Sequence, residues 1–244
     1  MTRIAELHLG PAAQEISGEI LTAIASRRLH PGTKLGEPDL ISIFGVSRTV
    51  IRQSLKDLAS RGIVTLERNK GAFVASPTFE EAMELHEALI LVERGIIELL
   101  CNGLNRTGVQ ELRAQAEAQR LAISTNDQEL SNRIGGVFHE LLGQLSRNRV
   151  IEEVHGNLLE RTRILQMLYR RDFDEAHLCD EHTRLVECIE NGNMEEARQL
   201  MKDHYWRILR SYRFDDVATE GASVFEALNH IGQNNSHARQ GEMA

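Results

Sequence analysis

The chain has 244 residues, 41% hydrophobic and 26% charged, the composition of an ordinary globular protein with room for one large or two modest domains. No apolar run approaches the ~20 residues that cross a bilayer, and the N-terminus MTRIAELHLG lacks a signal-peptide core, so a cytoplasmic protein is expected. The net charge of −8 hides an asymmetry: residues 1–76 hold ten Lys/Arg against seven Asp/Glu, a net +3, which leaves −11 for the remainder. A basic module joined to an acidic body points to nucleic acid.

Taken in order, residues 12–28 read as an amphipathic helix with Ile16, Ile20, Leu21 and Ile24 inward, and a Pro31-Gly32 turn follows. Residues 37–44 read as a second short helix. After the turn Gly45-Val46-Ser47, a third helix spans 48–61, with Ser47 as N-cap and Gly62 as C′ residue. Strands at 63–67 and 72–75 flank the loop Arg68-Asn69-Lys70-Gly71, where glycine suits a positive φ. Three helices and a hairpin make a winged helix-turn-helix. Ser76-Pro77-Thr78 marks a boundary, and six further helices are expected near 79–103, 107–124, 127–145, 148–170, 174–191 and 194–213. Short loops between them imply an antiparallel bundle. The fold class is therefore mainly α, with a DNA-binding domain at 1–76, an all-helical domain at 77–215 and a polar tail at 216–244. The last stretch, 232–244, is expected to be disordered.

The 48–61 helix carries Val50, Ile51, Leu55 and Leu58 as one apolar stripe and Arg48, Arg52 and Lys56 as a cationic face. A helix with one buried and one basic side suits a DNA major groove. Arg48 is placed to fork onto guanine O6 and N7, and Arg52 to read a base or hold a phosphate. Ser47 and Thr49 offer hydroxyls and helix-terminal amides to phosphate oxygens. Arg68, Asn69, Lys70 and Gly71 form a wing tip that reaches the minor groove or backbone.

These residues resemble the GntR superfamily of bacterial transcription regulators. The resemblance rests on Leu29-His30-Pro31-Gly32-Thr33-Lys34-Leu35, Glu37-x-x-Leu40, Gly45-Val46-Ser47-Arg48-Thr49-x-x-Arg52, and Asn69-x-Gly71-x-x-Val74. It implies that Arg48 and Arg52 contact bases or adjacent phosphates, that Thr49 contacts phosphate, and that the wing tip at Asn69 probes the minor groove. Two departures stand out. Val50 takes the place of a usual proline, and Pro38 occupies a position that in some members holds a DNA-contacting arginine.

Three histidines of the helical body attract attention: His139, His182 and His204. His182 and His204 flank the Gly192 turn at ten and twelve residues, so in a helical hairpin they lie at similar height. With His139 on a third helix they form a set of imidazoles suited to Zn, Ni or Mn. The body resembles the FCD domain, the effector module of the FadR branch, in which one Asp and three His commonly bind a divalent metal. His139, Glu181-His182 and His204 match that motif, but Gly135 stands at the aspartate position and Leu89 where many members carry an effector-binding arginine. Arg161 and Arg163 are the candidates to hold an effector carboxylate.

The expected function is a homodimeric, ligand-responsive transcription regulator, on family grounds a repressor, that binds a palindromic double-stranded DNA operator. An anionic metabolite and a divalent metal would occupy the bundle, with no enzymatic activity and no membrane partner. The alternative is a metal-dependent hydrolase using the three-His site. Its one candidate general base is Glu181, which as the sequence neighbour of a ligand is expected to point elsewhere on the helix.

Overall fold

The computed structural model describes residues 10–125, 127–171, 175–215 and 224–228. Among the described residues two compact units emerge, one of those up to 77 together with those from 214 onward, the other of those between 78 and 213.

The first unit begins with α1 (Pro11–Ala25), followed by β1 (Lys34–Leu35), α2 (Glu37–Phe44), α3 (Arg48–Ser60), β2 (Val64–Glu67) and β3 (Gly71–Val74). Ala13, Ile16, Ile20, Ala23 and Ile24 of α1 are buried, as are Ile51, Leu55 and Leu58 of α3, and the two helices pack together. Burial of each such side chain is worth about 1.5–3 kcal/mol. Across that interface Ser54 Oγ of α3 donates to the Ala13 carbonyl at 2.9 Å. Gly45 adopts φ +65° and closes α2 in the left-handed conformation, and Gly62 at +73° turns α3 into the hairpin.

The hairpin is antiparallel with Val64 opposite Val74 and Glu67 opposite Gly71. Asn69 (φ +65°) and Gly71 (φ +110°) supply the positive φ values of its tip. Two details depart from expectation. β1 adds an edge to β3 by pairing Lys34 with Phe73, giving the order β1-β3-β2. In addition, α1 stops at Ala25 rather than 28, because Arg27 takes φ +60° and the Arg28 and Leu29 amides both turn back to the Ala23 carbonyl. The sequence Ala25-Ser26-Arg27-Arg28-Leu29 holds no glycine to mark the stop. Residues 224–228 add a helical turn with Val224 and Leu228 buried, and Arg28 Nη1 donates to the Ala227 carbonyl at 2.9 Å. The remaining tail residues, 216–223 and 229–244, on which the expected disorder falls, lie outside the described residues.

The second unit is helical: α4 (Phe79–Gly103), α5 (Arg106–Ser124), α6 (Gln128–Leu145), α7 (Arg149–Tyr169), α8 (Glu175–Glu190) and α9 (Met194–Arg210). α4 packs against α6, α7, α8 and α9 and so forms the spine of the bundle. Its start is set by a capping box: the Glu81 amide donates to Thr78 Oγ1 at 3.2 Å and the Thr78 amide to Glu81 Oε2 at 2.7 Å. Asn105 and Asn148 cap α5 and α7 through their side-chain oxygens. Gly192, at φ +70°, makes the tight turn between α8 and α9. That turn brings the two histidine-bearing helices side by side. Among the described residues no helix is long and apolar enough to cross a membrane.

Candidate DNA-reading surface and histidine centre

On the first unit every sequence-predicted contact residue is exposed: Ser47, Arg48, Thr49, Arg52 and Lys56 on α3, and Arg68, Asn69, Lys70 and Gly71 at the wing tip. Ser47 stands at the N-cap with extended backbone (φ −71°, ψ 155°), but its hydroxyl makes no capping bond and stays available. Arg52 Nε bonds Glu37 Oε1 at 2.8 Å and Arg48 Nε lies 3.6 Å from Glu37 Oε2. One carboxylate at the start of α2 thus gathers both arginines predicted to contact DNA. With both guanidiniums about 60% exposed, this pairing contributes little stability. It does tie the two exposed side chains to the start of α2. At the wing, Lys70 Nζ pairs with Glu67 Oε2 at 2.8 Å.

In the second unit His139 (α6), His182 (α8) and His204 (α9) converge, each buried, and the nitrogens they offer lie within 4.8 Å of one another. Each ring is held from behind. His139 Nδ1 donates to Glu93 Oε1 at 3.0 Å, His182 Nδ1 to Gln119 Oε1 at 2.8 Å, and His204 Nδ1 to Glu181 Oε2 at 2.9 Å. Since the acceptors fix the proton on Nδ1, the Nε2 lone pairs face inward. His139 Nε2 and His182 Nε2 are 3.3 Å apart, and His204 Nε2 is buried with no partner. Phe138 stacks on His182 with centroids 4.2 Å apart and fixes that ring's plane.

Three converging lone pairs in a water-poor core repel unless a cation lies between them. With Zn–N bonds of about 2.0–2.1 Å, tetrahedral ligand nitrogens sit about 3.3 Å apart, which is the His139–His182 spacing. The donor set therefore fits a borderline divalent ion, held by three imidazoles whose outer nitrogens are anchored as metal-ligating histidines usually are.

Sequence reasoning missed several supporting residues. Glu93 of α4 is fully buried, and its Oε1 also accepts from His155 Nε2 at 2.7 Å and Tyr205 OH at 2.6 Å. Burial pushes the Glu93 carboxyl up, but the charges and hydrogen bonds of His139 and His155 outweigh it and hold the group well below the usual carboxylate range. Tyr205, the sequence neighbour of His204, donates into this network. Burial and the Glu93 charge push its hydroxyl well up, so it remains a donor. Burial, with His204 and His139 close by, lowers His182 well below its ordinary value, and burial likewise lowers His204 against the pull of Glu181. The signal that could have found Glu93 is positional: it stands on the apolar stripe Leu85, Leu89, Ile96, Ile97 and Leu100.

Glu181 corrects an expectation. It does not point away: besides His204 it takes Arg207 Nε at 3.2 Å and His177 Nε2 at 3.1 Å on its other oxygen. Adjacent helical residues are ~100° apart, near enough for Glu181 to reach α9 while His182 reaches the centre. Leu89, at the place of the family arginine, is fully buried. Arg161 and Arg163 are not brought to the histidines. Both are exposed, Arg163 pairs with Glu140, and the residue between them, Thr162, is the one that turns inward. On a helix two residues spaced i, i+2 flank the inward position rather than share it.

Two family models match the chain. "Bacterial regulatory proteins, gntR family" matches residues 12–74, and "FCD domain" matches residues 84–207. An HTH-type transcriptional regulator of Bacillus subtilis, YdhC, is 31% identical over 200 residues, covering 80% of this chain and 88% of that protein. The gluconate operon transcriptional repressor of the same organism is 27% identical over 180 residues, covering 71% and 74%. The solved structure of a GntR regulator from Rhodococcus sp. RHA1 superposes with a TM-score of 0.61 at 23% identity, over 82% of this chain and 99% of that one, a likeness of fold.

Proposed function

The chain belongs to the gntR family of bacterial regulatory proteins and carries an FCD domain, and from that premise we propose a repressor that binds a palindromic operator as a homodimer and answers to a small anionic metabolite. Its family and relatives are transcription regulators, not enzymes, and the alternative of a hydrolase finds no support. Glu181, the one base that alternative had, is committed to His204, His177 and Arg207.

The observation that carries the DNA-reading part is the exposed face of α3. Arg48 and Arg52 are exposed beside Glu37 while Ile51, Leu55 and Leu58 are buried. On DNA, Arg48 forks onto a base edge and Arg52 reads or grips beside it, with Ser47 and Thr49 on phosphate. Lys56, Arg68, Asn69, Lys70 and Gly71 hold backbone or minor groove. Exchange of the Glu37 carboxylate for phosphate costs little at such exposure. Arg48→Ala is expected to abolish the sequence-specific shift in a mobility assay on operator DNA while dimer and circular dichroism stay unchanged. Wild-type affinity in that variant would remove Arg48 from the reading surface.

In the helical unit His139, His182 and His204 would hold Zn, Ni or Mn, which supplies a positive pole for a carboxylate-bearing effector. Glu93, Gln119 and Glu181 keep the rings in the tautomer that presents Nε2. For the dimer, Leu91 (69% exposed) on α4 and Val150 (72%) and Val154 (46%) on the neighbouring α7 offer bare aliphatic surface. A bacterial operator-binding protein works where the DNA is, which supports a cytoplasmic location.

A further inference from the structure

Gly135 stands one helical turn before His139 on α6, and the space beside it is filled. A Cβ built there would lie 2.8 Å from Gln119 Nε2, nearer than side-chain carbons come to such an atom. Gln119 on α5 is buried, and its other amide atom, Oε1, is the acceptor that holds His182 Nδ1 at 2.8 Å. One turn earlier on α5, Gln115 Nε2 donates to the Ile134 carbonyl at 3.1 Å, so the two helices are pinned together at this level. The glycine and the glutamine are thus one arrangement: a side chain at 135 would push the carboxamide off His182.

The three rings differ in what stands behind them. His139 and His204 rest on carboxylates, Glu93 and Glu181, while His182 rests on a neutral amide. No carboxylate of the described residues joins the three imidazoles in the convergent set. We propose that Gln119 and Gly135 act as a specificity-determining pair: the glycine makes room, the glutamine orients His182 from behind, and the centre selects Zn(II) or Ni(II) over Mn(II). This rests on the three-histidine reading above. The chemistry follows from donor type, since imidazole nitrogen suits zinc and nickel whereas carboxylate oxygen suits manganese. Gln119 is a positioning residue that acts through His182.

Two measurements on the full chain test this. In metal-free protein, nitrogen-15 NMR is expected to find His182 in the Nδ1–H tautomer in the wild type and in Gln119→Glu. The preference should be lost in Gln119→Leu and also in Gly135→Ala, where the glutamine is present but displaced. In competition with a chelating dye, Gln119→Leu should bind zinc about 10–100-fold more weakly, the usual cost of losing an outer-shell partner, with Gln119→Glu restoring it. Gly135→Asp combined with Gln119→Ala, which supplies an oxygen donor and the room for it, should move the zinc-to-manganese preference toward manganese about tenfold or more. An unchanged tautomer in Gly135→Ala, zinc affinity within twofold of wild type in Gln119→Leu, or an unmoved metal preference in the double variant each overturns the pairing. A wild type that takes up no zinc while Gln119 still sets the His182 tautomer overturns the metal reading instead, and the selectivity with it.

Discussion

At Glu93 one carboxylate oxygen accepts from His139, His155 and Tyr205, while Oε2 is buried without a partner. Three donors on one oxygen require the ionised form, so a negative charge sits beside the inward-facing imidazoles. Two of them, His182 and His204, resist protonation: burial, with neighbouring rings, lowers both below the ordinary 6.5. The unfolded chain therefore binds protons near pH 6.5 that the folded chain refuses, and stability rises with pH in that window. The contribution is complete above pH 6.5 and is lost as pH falls from there toward the lowered values. Chelator-treated protein is expected to melt at progressively lower temperature between pH 7.5 and 5.5. His182→Phe, which keeps a ring to stack on Phe138, should flatten that slope; an equal slope in both would remove His182 as its source. His182 and His204 were legible in the sequence by their spacing about the Gly192 turn, and His139 by its match to the FCD motif. Glu93, His155 and Gln119 were not, because helical periodicity marks apolar faces and says nothing of which polar group will meet which across helices.

Among the elements, the ends were readable wherever a side chain or glycine enforces them. The 37–44 and 79–103 helices appear with those bounds, the first stopped by left-handed Gly45 and the second started by the Thr78–Glu81 box. Thr78→Ala removes one half of that box and should cost about 1 kcal/mol, measured as a shift in the urea midpoint of the helical unit. No shift would mean that the first turn of α4 is held by packing alone. The misses have an equally local cause. α1 ends early through a non-glycine residue, Arg27, in a left-handed conformation, and β1 is only two residues long, made by its pairing to β3. Neither leaves a pattern in residue types.

For the whole molecule, the division of charge into a net +3 over residues 1–76 and −11 beyond them matches the proposed division of labour between a DNA-reading unit and an effector unit. Coupling between two such sites is reciprocal, so whatever the effector does to operator affinity, the operator does to effector affinity. The proposed dimer has its own test. In sedimentation velocity the wild type is expected at the mass of two chains, and Leu91→Glu with Val150→Glu at the mass of one, with helix content retained. A variant that still sediments as two chains would move the interface off α4 and α7. Residue order by itself determined the winged helix, the six-helix body, the basic face of α3 and the identity of the three histidines, because caps, turns and apolar periodicity are local and survive in one dimension. Only the tertiary structure decided that Glu93 and Glu181 anchor two of those rings, that Gln119 fills the space beside Gly135, and that Arg161 and Arg163 stay on the surface. Those outcomes depend on which helices meet, at what height and in what rotation, and that is settled by packing across the core.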